Sequence, residues 1–197
     1  CDRYGILLII DEVICGFGRT GRMFATEHFG VKPDLLTMAK GITSGYVPLG
    51  AVGCTDAVIA PIEVFNHLHT YGNHPVPCAV AVKNLEILQR DRLVERSAAM
   101  GAYFLDALRQ MQDRPSIGEV RGTGLWLAID FTSDKKTRAP YPTANLMAIL
   151  ARAKEKGVIT KTMGHALEFA PPLTIEKEEI DFALRVVGEC IAEQERA

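Results

Sequence analysis

The sequence has no uninterrupted apolar run close to the ~20 residues that a helix needs to cross a bilayer. We also expect no secretory signal in this segment, because the charged residues Asp2 and Arg3 precede its first apolar run. A strong charge bias is absent as well, since the formal net charge is only −2. We therefore expect neither a membrane nor nucleic acid as a partner. Apolar residues, at 48%, are instead plentiful enough for the core of a soluble globular protein.

The five cysteines are odd in number, and no two of them form a C-x-x-C pair. A disulfide framework is therefore not predicted, and reduced thiols in a cytoplasmic protein are the expected state. Cys54 and Cys78 stand in apolar stretches, and we predict that both are core residues rather than reactive thiols.

Three short apolar runs predict strands in the first part of the chain. Residues 4–10 are apolar and partly β-branched, which is typical of a strand buried on both faces. Residues 35–38 and 49–53 predict two more strands, and residues 23–29 predict a short helix. A doubly wound sheet usually has ~5 strands. We therefore expect this large domain to be incomplete, and residues upstream of Cys1 to belong to the natural protein.

Helical periodicity replaces the strand pattern over residues 76–112, where apolar side chains recur among Lys, Glu and Arg. This spacing predicts one long helix or two in tandem. Residues 122–131 then predict a strand. Thr143 is placed to cap a helix that runs to residue 156, and Gly157 is placed to stop it.

The end of the chain predicts a small α/β unit, with short strands at residues 158–162 and 167–170. A last amphipathic helix has an apolar face formed by Ile180, Leu184, Val187 and Ile191. The predicted fold class is α/β, in three parts. They are a partial large domain (1–75), a long connecting helical region (76–112) and a small C-terminal α/β domain (113–197).

Residues 16–21, GFGRTG, formally match G-x-G-x-x-G, the pattern of a dinucleotide-binding loop. In that fold the strand runs directly into the first glycine, whereas five residues separate the two here. In that fold an acidic residue at the end of the next strand binds the ribose. The candidate here, Asp34, lies before its strand and not after it. A dinucleotide site is therefore not predicted, and we interpret the glycines as allowing a tight backbone path.

Two charged residues follow the first two predicted strands. Asp11 ends the first strand, and Lys40 stands just past the second, 29 residues later. If the strands are parallel, both side chains lie at the carboxyl edge of the sheet, where ligands of open α/β sheets bind. From residue types and spacing alone, a plain Asp–Lys ion pair at the strand ends is an equally good interpretation.

Three ordered segments resemble the class III aminotransferases, which are pyridoxal-phosphate enzymes of fold type I. The segments are DEVICGFGRTG, PDLLTMAKGITSGYVPLGAV and HTYGNHPV. The Ile14-Cys15 variant, followed by GRMFATEHFGVKPD, is most similar to the omega-amino-acid or amine:pyruvate branch. The resemblance implies part of a fold type I large domain, which has a mostly parallel sheet with helices, plus a small C-terminal α/β domain. It also implies that this chain is the C-terminal portion only.

The resemblance implies a role for four residues. Lys40 would form a Schiff base with pyridoxal 5'-phosphate and then transfer a proton between substrate and cofactor carbons. Asp11 would pair with the pyridine nitrogen, whose protonated form an opposite charge favours. Val13 would press on one face of the ring, although ordinary core packing also explains it. Thr70 would donate its hydroxyl to the phosphate of the neighbouring subunit's cofactor, which requires a homodimer.

Three histidines surround Thr70, at positions 67, 69 and 74. His67-x-His69 without a nearby cysteine or an established carboxylate is weak evidence for a metal site. We therefore predict hydrogen bonding within the loop and no metal. Leu68 stands where the family commonly has a glycine, so the path of this loop is expected to differ.

Lys161 departs from the family pattern, because amine:pyruvate-type relatives usually have an arginine there that binds the substrate carboxylate. Arginine offers a planar, two-pronged donor, whereas lysine offers a compact point charge. If Lys161 binds substrate, carboxylate recognition should be looser or different. An exposed lysine at a strand end is the equally weighted alternative.

The resemblance implies transamination between an amine or omega-amino acid and a keto acid such as pyruvate. Two alternatives remain open. One is another reaction on the same fold, such as that of an aminomutase or decarboxylase. The other is a catalytically incomplete fragment, because the family's glycine/serine phosphate-binding turn lies upstream of the Asp11 motif.

Overall fold

The structure, a computed structural model, describes residues 1–64, 66 and 69–197. They form two units, Cys1–Glu95 and Arg96–Ala197, which are described here one at a time. The boundary between the units lies inside the predicted helical region 76–112. His67 and Leu68, for which a role in the loop is predicted above, lie outside the described residues.

The first unit is built on a three-stranded sheet in the order β1-β2-β3. Its strands are β1 (Ile9–Asp11), β2 (Leu35–Met38) and β3 (Ala51–Cys54). β1 and β2 run parallel, with Asp11 opposite Thr37, whereas β3 runs antiparallel to β2. The parallel arrangement places the carboxyl ends of β1 and β2 at the same edge of the sheet. Short 3-10 helices follow β1 at Ala25–His28 and β2 at Lys40–Ile42.

The prediction of a strand over residues 4–10 that is buried on both faces is wrong. A 3-10 turn occupies Asp2–Tyr4 and ends at Gly5, and only Ile9–Asp11 is extended and paired. Ile9 is 60% exposed. The apolar run is therefore real, but the described elements leave β1 uncovered on its outer edge and on one face.

The helical region contains two helices in tandem, which confirms one of the two predicted arrangements. After the short α1 (Asp56–Ile59), α2 spans Pro75–Arg90 and α3 spans Leu93–Arg109. The break coincides with Arg92, whose φ of 51° lies in the left-handed region and interrupts the helical backbone.

The second unit has an antiparallel sheet in the order β4-β5-β8-β7, with β6 paired to β5. The strands are β4 (Ile117–Thr123), β5 (Trp126–Asp134), β6 (Ala139–Pro140), β7 (Lys161–Met163) and β8 (Ala166–Phe169). The single strand predicted at residues 122–131 is instead part of a hairpin that turns at residues 124–125. Gly101 of α3 packs on this turn so closely that a β-carbon there would lie 2.1 Å from the Gly124 carbonyl oxygen.

Two helices, α4 (Thr143–Glu155) and α5 (Lys177–Arg196), complete the second unit and pack on one another. Gly157 follows α4 with a φ of 92°, as predicted for a stop. Thr143 is not the cap, because Pro142 holds that position without a side-chain hydrogen bond. The predicted apolar face of α5 is confirmed, since its four residues are buried: Ile180, Leu184, Val187 and Ile191.

The cysteines differ from the prediction in one respect. Cys54 and Cys78 are exposed, whereas Cys190 on α5 is fully buried. Cys54 and Cys78 have apolar neighbours in the sequence, but neither is buried. The main hydrophobic core that the structure describes lies in the second unit, and both cysteines belong to the first. Within the described part of the chain, the helices are too short or too polar to cross a membrane.

Candidate active site

Lys40 stands two residues past the end of β2 and begins a short 3-10 helix. Its φ of 43° is in the left-handed region, which a non-glycine residue occupies at a cost of about 1–3 kcal/mol. Such a conformation persists only where the surroundings fix it. The Lys40 side chain is exposed and lines a cleft of the first unit.

The loop after Lys40 is anchored by a residue that the sequence analysis did not single out. The side-chain amide of Asn84, on α2, donates to the carbonyl oxygens of Gly41 at 2.8 Å and Ile42 at 3.2 Å. Thr43 is buried and donates its hydroxyl to the Val47 carbonyl at 2.6 Å. No short-range pattern marks Asn84, because it lies more than forty residues from its partners.

The glycine-rich segment 16–21 supports the same loop. A β-carbon on Gly41 would lie 3.0 Å from the Phe17 β-carbon and 3.3 Å from the Gly16 carbonyl oxygen. Phe17 is buried with a φ of 59°, and its ring packs edge-on against Phe24. The tight backbone path predicted for these glycines therefore serves to bring residues 16–17 against the lysine loop.

Asp11 lies at the carboxyl edge of the sheet, as the sequence analysis predicted. It pairs in register with Thr37, and the next amide, that of Glu12, donates to the Thr37 carbonyl at 2.9 Å. Asp11 Oδ1 accepts the Val13 N–H at 2.8 Å, which fixes the orientation of the exposed carboxylate. Because β1 and β2 are parallel, Asp11 and Lys40 leave the sheet at the same edge.

Glu12 is a second carboxylate beside Asp11, but its environment is the opposite. It is buried, and its Oε1 accepts the Thr26 N–H at 2.8 Å, which ties residues 25–28 to the end of β1. Its Oε2 has no hydrogen-bond partner among the described residues. Burial raises the pKa of the nearby Cys15 thiol, and the charges of Glu12 and Asp11 raise it further.

The cleft beside Lys40 has a volume of about 940 Å³ and brings two of the predicted site residues together. Lys40 and Thr70 both line it. Its other lining residues include Thr43, Gly45, Leu49, His69 and Tyr71. Asp11 and Val13 do not line this cleft, although they lie at the same sheet edge as Lys40.

Within the described ranges, which include His69 and His74 but not His67, no group of three metal-ligating side chains occurs. His74 caps α2, because its Nδ1 accepts the Val76 N–H at 3.2 Å. This is the hydrogen-bonding role that the sequence predicted for it.

Lys161 lies in the second unit and is held in an ion pair. It is opposite Glu168 across β7 and β8, and its Nζ lies 2.9 Å from Glu168 Oε2. The other oxygen, Oε1, accepts the Trp126 indole N–H at 2.6 Å. Lys161 also lines a cleft of about 830 Å³ in this unit. It is therefore an exposed lysine at a strand end with a specific partner, which the sequence did not reveal.

Known proteins of one enzyme family are similar to this chain in sequence. The family described as aminotransferase class-III matches residues 1–191. A protein of Bacillus subtilis (strain 168) named uncharacterized aminotransferase YhxA is 42% identical, over 96% of this chain and 45% of its own length. The putrescine–pyruvate aminotransferase of Pseudomonas aeruginosa is 37% identical, over 96% of this chain and 42% of its own length.

Solved structures of transaminases are also similar to this chain. An (S)-enantioselective omega-transaminase from Thermomicrobium roseum superposes with a TM-score of 0.93 at 44% identity. The match covers 98% of this chain and 44% of the other. This chain thus spans less than half the length of the relatives it matches. The similarity confirms the predicted α/β fold of the fold type I aminotransferases.

Proposed function

This chain belongs to the class III aminotransferase family, and from that premise we propose that the protein is a pyridoxal-phosphate-dependent transaminase. The proposed reaction moves an amino group between an amine or omega-amino acid and a keto acid such as pyruvate. One observation carries the proposal: Lys40 and Asp11 leave parallel strands at the same edge of one sheet. The names of an omega-transaminase and a putrescine–pyruvate aminotransferase among its relatives support the substrate class.

The side chains at this edge suit pyridoxal 5'-phosphate. When bound, this group supplies an aldehyde that bonds to amines and a pyridine ring that withdraws electrons from the reacting carbon. An amine, a carboxylate and a hydroxyl are three of the protein groups that can hold such a molecule, and Lys40, Asp11 and Thr70 would provide them. Lys40 and Thr70 line one cleft, and Asp11 lies at the sheet edge beside Lys40's strand.

Lys40 would act as the nucleophile and then as the acid–base group. Its amine is the group that would hold the cofactor at its aldehyde carbon. The same amine would serve as the acid–base group that moves a proton, which requires a well-defined position. The left-handed backbone at Lys40 and the two hydrogen bonds that Asn84 donates to the loop support this role, because they hold the backbone from which the lysine side chain extends.

Asp11 would hold a positive charge on the pyridine nitrogen, because an ionised carboxylate stabilises the protonated form of a nearby base. The Val13 N–H already fixes one of its oxygens, so the carboxylate needs little reorientation when the ring binds. We propose that the Val13 side chain, which is half-buried, contacts one face of the ring.

Thr70 would donate its hydroxyl to a phosphate oxygen of the partner subunit's cofactor, and the protein would act as a homodimer. Thr70 also lines the cleft of its own Lys40. The two assignments differ in which subunit's cofactor is affected, and mixed dimers separate them, as described in the Discussion.

The proposal is tested by adding pyridoxal 5'-phosphate to the purified protein and recording the visible absorbance of the bound cofactor. We expect a band that Lys40→Ala abolishes and that Lys32→Ala retains, because Lys32 is an exposed lysine of the same unit outside the cleft. An identical band in Lys40→Ala would reject Lys40 as the attachment point. Formation of alanine from pyruvate and an amine donor then tests transfer itself.

Two alternatives give different products. An aminomutase or decarboxylase would bind the cofactor at Lys40 but form no alanine from pyruvate. A chain that is incomplete as a catalyst would show neither full cofactor occupancy nor turnover, while a longer form would show both. We also propose, from the sequence, the division into residues 1–75, 76–112 and 113–197 and a cytoplasmic location.

A further inference from the structure

The second unit contains a polar cleft that shares no described lining residue with the clefts of Lys40 and Lys161. Its volume of about 590 Å³ is within the range of ~300–1,000 Å³ that small-molecule sites occupy. Residues of β4, β5, β6, the turn after β5 and the turn between β7 and β8 line it. Three of these residues are basic: Lys135, Arg138 and His165.

The wall of this cleft is fixed by a β-bulge. The register of β4 against β5 shifts at Gly118, which lines the cleft. The Gln112 side chain holds the bulge, because its Nε2 donates to the Gly118 carbonyl at 3.1 Å and its Oε1 accepts the Val120 N–H at 2.9 Å. The backbone carbonyl of Gln112 also accepts Lys135 Nζ at 2.7 Å. One residue therefore holds both the wall and a basic side chain in place.

The charges of the basic side chains are not neutralised by the chain itself. Lys135 bonds only to an uncharged carbonyl, and its ammonium keeps further hydrogens to donate. The Arg138 guanidinium and the His165 ring make no hydrogen bond or ion pair with any residue that the structure describes. The backbone of Arg138 is left-handed, with a φ of 54°, which sets the direction in which its side chain leaves the turn.

Two carboxylates also line the cleft, but both lie near an arginine outside it. Asp130 Oδ2 is 2.7 Å from Arg121 Nη1, and Glu119 Oε2 is 3.9 Å from the same nitrogen. When Arg121 is included, three permanently cationic groups stand against two carboxylates. The cleft therefore keeps an excess of positive charge on the side of Lys135 and Arg138, which favours an anion.

The three basic groups suit the oxygens of a phosphate. A guanidinium is a planar fork that can donate to two oxygens of one phosphate group, and an ammonium adds a compact point charge. A ring N–H of His165 can donate to a further oxygen. The cleft also has an apolar wall at Phe131 and Pro140, beside which the organic part of a phosphate ester would fit.

We propose that this cleft is a binding site for a phosphate group, held by Arg138, Lys135 and His165. The group belongs either to free phosphate or to a small phosphate ester, and the two share the same recognition chemistry. The site lies entirely within the second unit and goes beyond the proposed transamination, which does not require it.

The experiment is a calorimetric titration of the whole 197-residue chain with inorganic phosphate, without cofactor and at constant ionic strength. Wild type should bind phosphate saturably, with a Kd on the order of 1 mM. Arg138→Gln should weaken binding about tenfold, because charge-assisted hydrogen bonds are lost. Lys135→Gln should weaken it about threefold, because an exposed point charge contributes less.

Lys136→Gln is the matched control, since it removes the same charge from the same turn but Lys136 does not line the cleft. It should change phosphate affinity less than about twofold. The proposal is overturned if wild type does not bind phosphate saturably, or if Arg138→Gln loses no more affinity than Lys136→Gln. Lys135→Gln takes the place of Arg138→Gln in this comparison if the latter does not fold.

A second probe, phenyl phosphate, identifies the source of the phosphate group. Tighter binding of phenyl phosphate than of phosphate, with the same dependence on Arg138, supports a phosphate ester as the ligand. Equal or weaker binding with that dependence supports free phosphate. Binding of either probe that is independent of Arg138 counts against the site.

Lys40→Ala separates this site from the cofactor cleft of the first unit, where a phosphate is also proposed to bind. Phosphate affinity should be unchanged in that variant. A loss in Lys40→Ala that Arg138→Gln does not show would place the ion in the first unit and overturn the proposal. A missing cofactor band would count against the proposed function and would leave the phosphate site intact.

Discussion

Gly41 packs against Phe17 with no room for a side chain: a β-carbon at position 41 would lie 3.0 Å from that of Phe17. This contact joins the two sequence segments that carry Asp11 and Lys40, because Phe17 follows the first and Gly41 follows the second. The lysine loop is thus shaped partly by a residue from the glycine-rich segment. Contacts of this kind make the position of Lys40 testable by substitutions that leave the lysine itself in place.

We predict that Gly41→Ala destabilises the chain by about 1–3 kcal/mol, because its methyl group must displace Phe17 or the backbone at Gly16. The same change should weaken the cofactor band, since Lys40 precedes the displaced residue. Chemical denaturation measures the first effect. Gly50→Ala is the control, because its β-carbon would meet only the Met38 carbonyl oxygen at an ordinary 3.7 Å. Equal losses in both variants would contradict the prediction.

Asn84→Ala should cost about 1–2 kcal/mol of unfolding free energy, since two carbonyl oxygens of the lysine loop lose their donor. We also expect weaker cofactor binding, because the loop is no longer tied to α2. Lys83→Ala is a neighbouring control that removes only an exposed pair with Glu86 and should change stability by less than about 0.5 kcal/mol. An Asn84→Ala protein with unchanged cofactor affinity would show that the anchor is not needed for the site.

Mixed dimers test the proposed role of Thr70. We expect Lys40→Ala to abolish activity and Thr70→Ala to reduce it strongly. If Thr70 serves the partner subunit's cofactor, a dimer of one Lys40→Ala and one Thr70→Ala subunit contains one intact site. Mixing and reassociating the two inactive proteins should then restore activity, measured as alanine formed from pyruvate. No restoration, with mixed dimers confirmed by mass, would assign Thr70 to the cofactor of its own subunit.

The cysteines offer a test of the electrostatics beside Asp11. Burial and the negative charges of Glu12 and Asp11 raise the pKa of Cys15, so its thiolate fraction at a given pH below that pKa is reduced. Alkylation by iodoacetamide at about pH 8 should therefore be slower at Cys15 than at the exposed Cys54, as measured by peptide mass spectrometry.

Asp11→Asn should speed the alkylation of Cys15, because removal of a nearby negative charge lowers the thiol pKa. The rate at Cys54 is the internal control and should not change. A Cys15 rate that is independent of Asp11 would show that the carboxylate does not act on the thiol.

Several features followed from the sequence because their causes are local. β2 was predicted with its observed bounds, since a short apolar run between the charged residues Asp34 and Lys40 leaves little choice of strand. The apolar face of α5 followed from helical spacing over about three turns, from Ile180 to Ile191. The 29 residues from Asp11 to Lys40 are enough for a crossover, so a shared edge was predicted for the case of parallel strands, and the strands are parallel.

Other features depend on partners that are distant in the chain. The sequence shows Asp11 and Glu12 as equivalent neighbours, and only tertiary packing made one exposed and the other buried. The sequence of residues 122–131 predicted one continuous strand and did not indicate the turn at residues 124–125. That turn packs closely on Gly101, which belongs to another element and is distant in the sequence. Ile9 has the sequence of a buried strand residue, yet burial requires covering elements that the described residues do not supply.

The sequence by itself determined the family, the chemical groups at positions 11 and 40 and, for parallel strands, the sheet edge at which both lie. Those are properties of residue type, order and strand direction. Tertiary structure decided how Lys40 is held, through Asn84 and Phe17, and which partner Lys161 has. The reason is that a side chain's charge and conformation are set by its contacts, and the contacts of Lys161 with Glu168 and of Glu168 with Trp126 arise only when the strands pair.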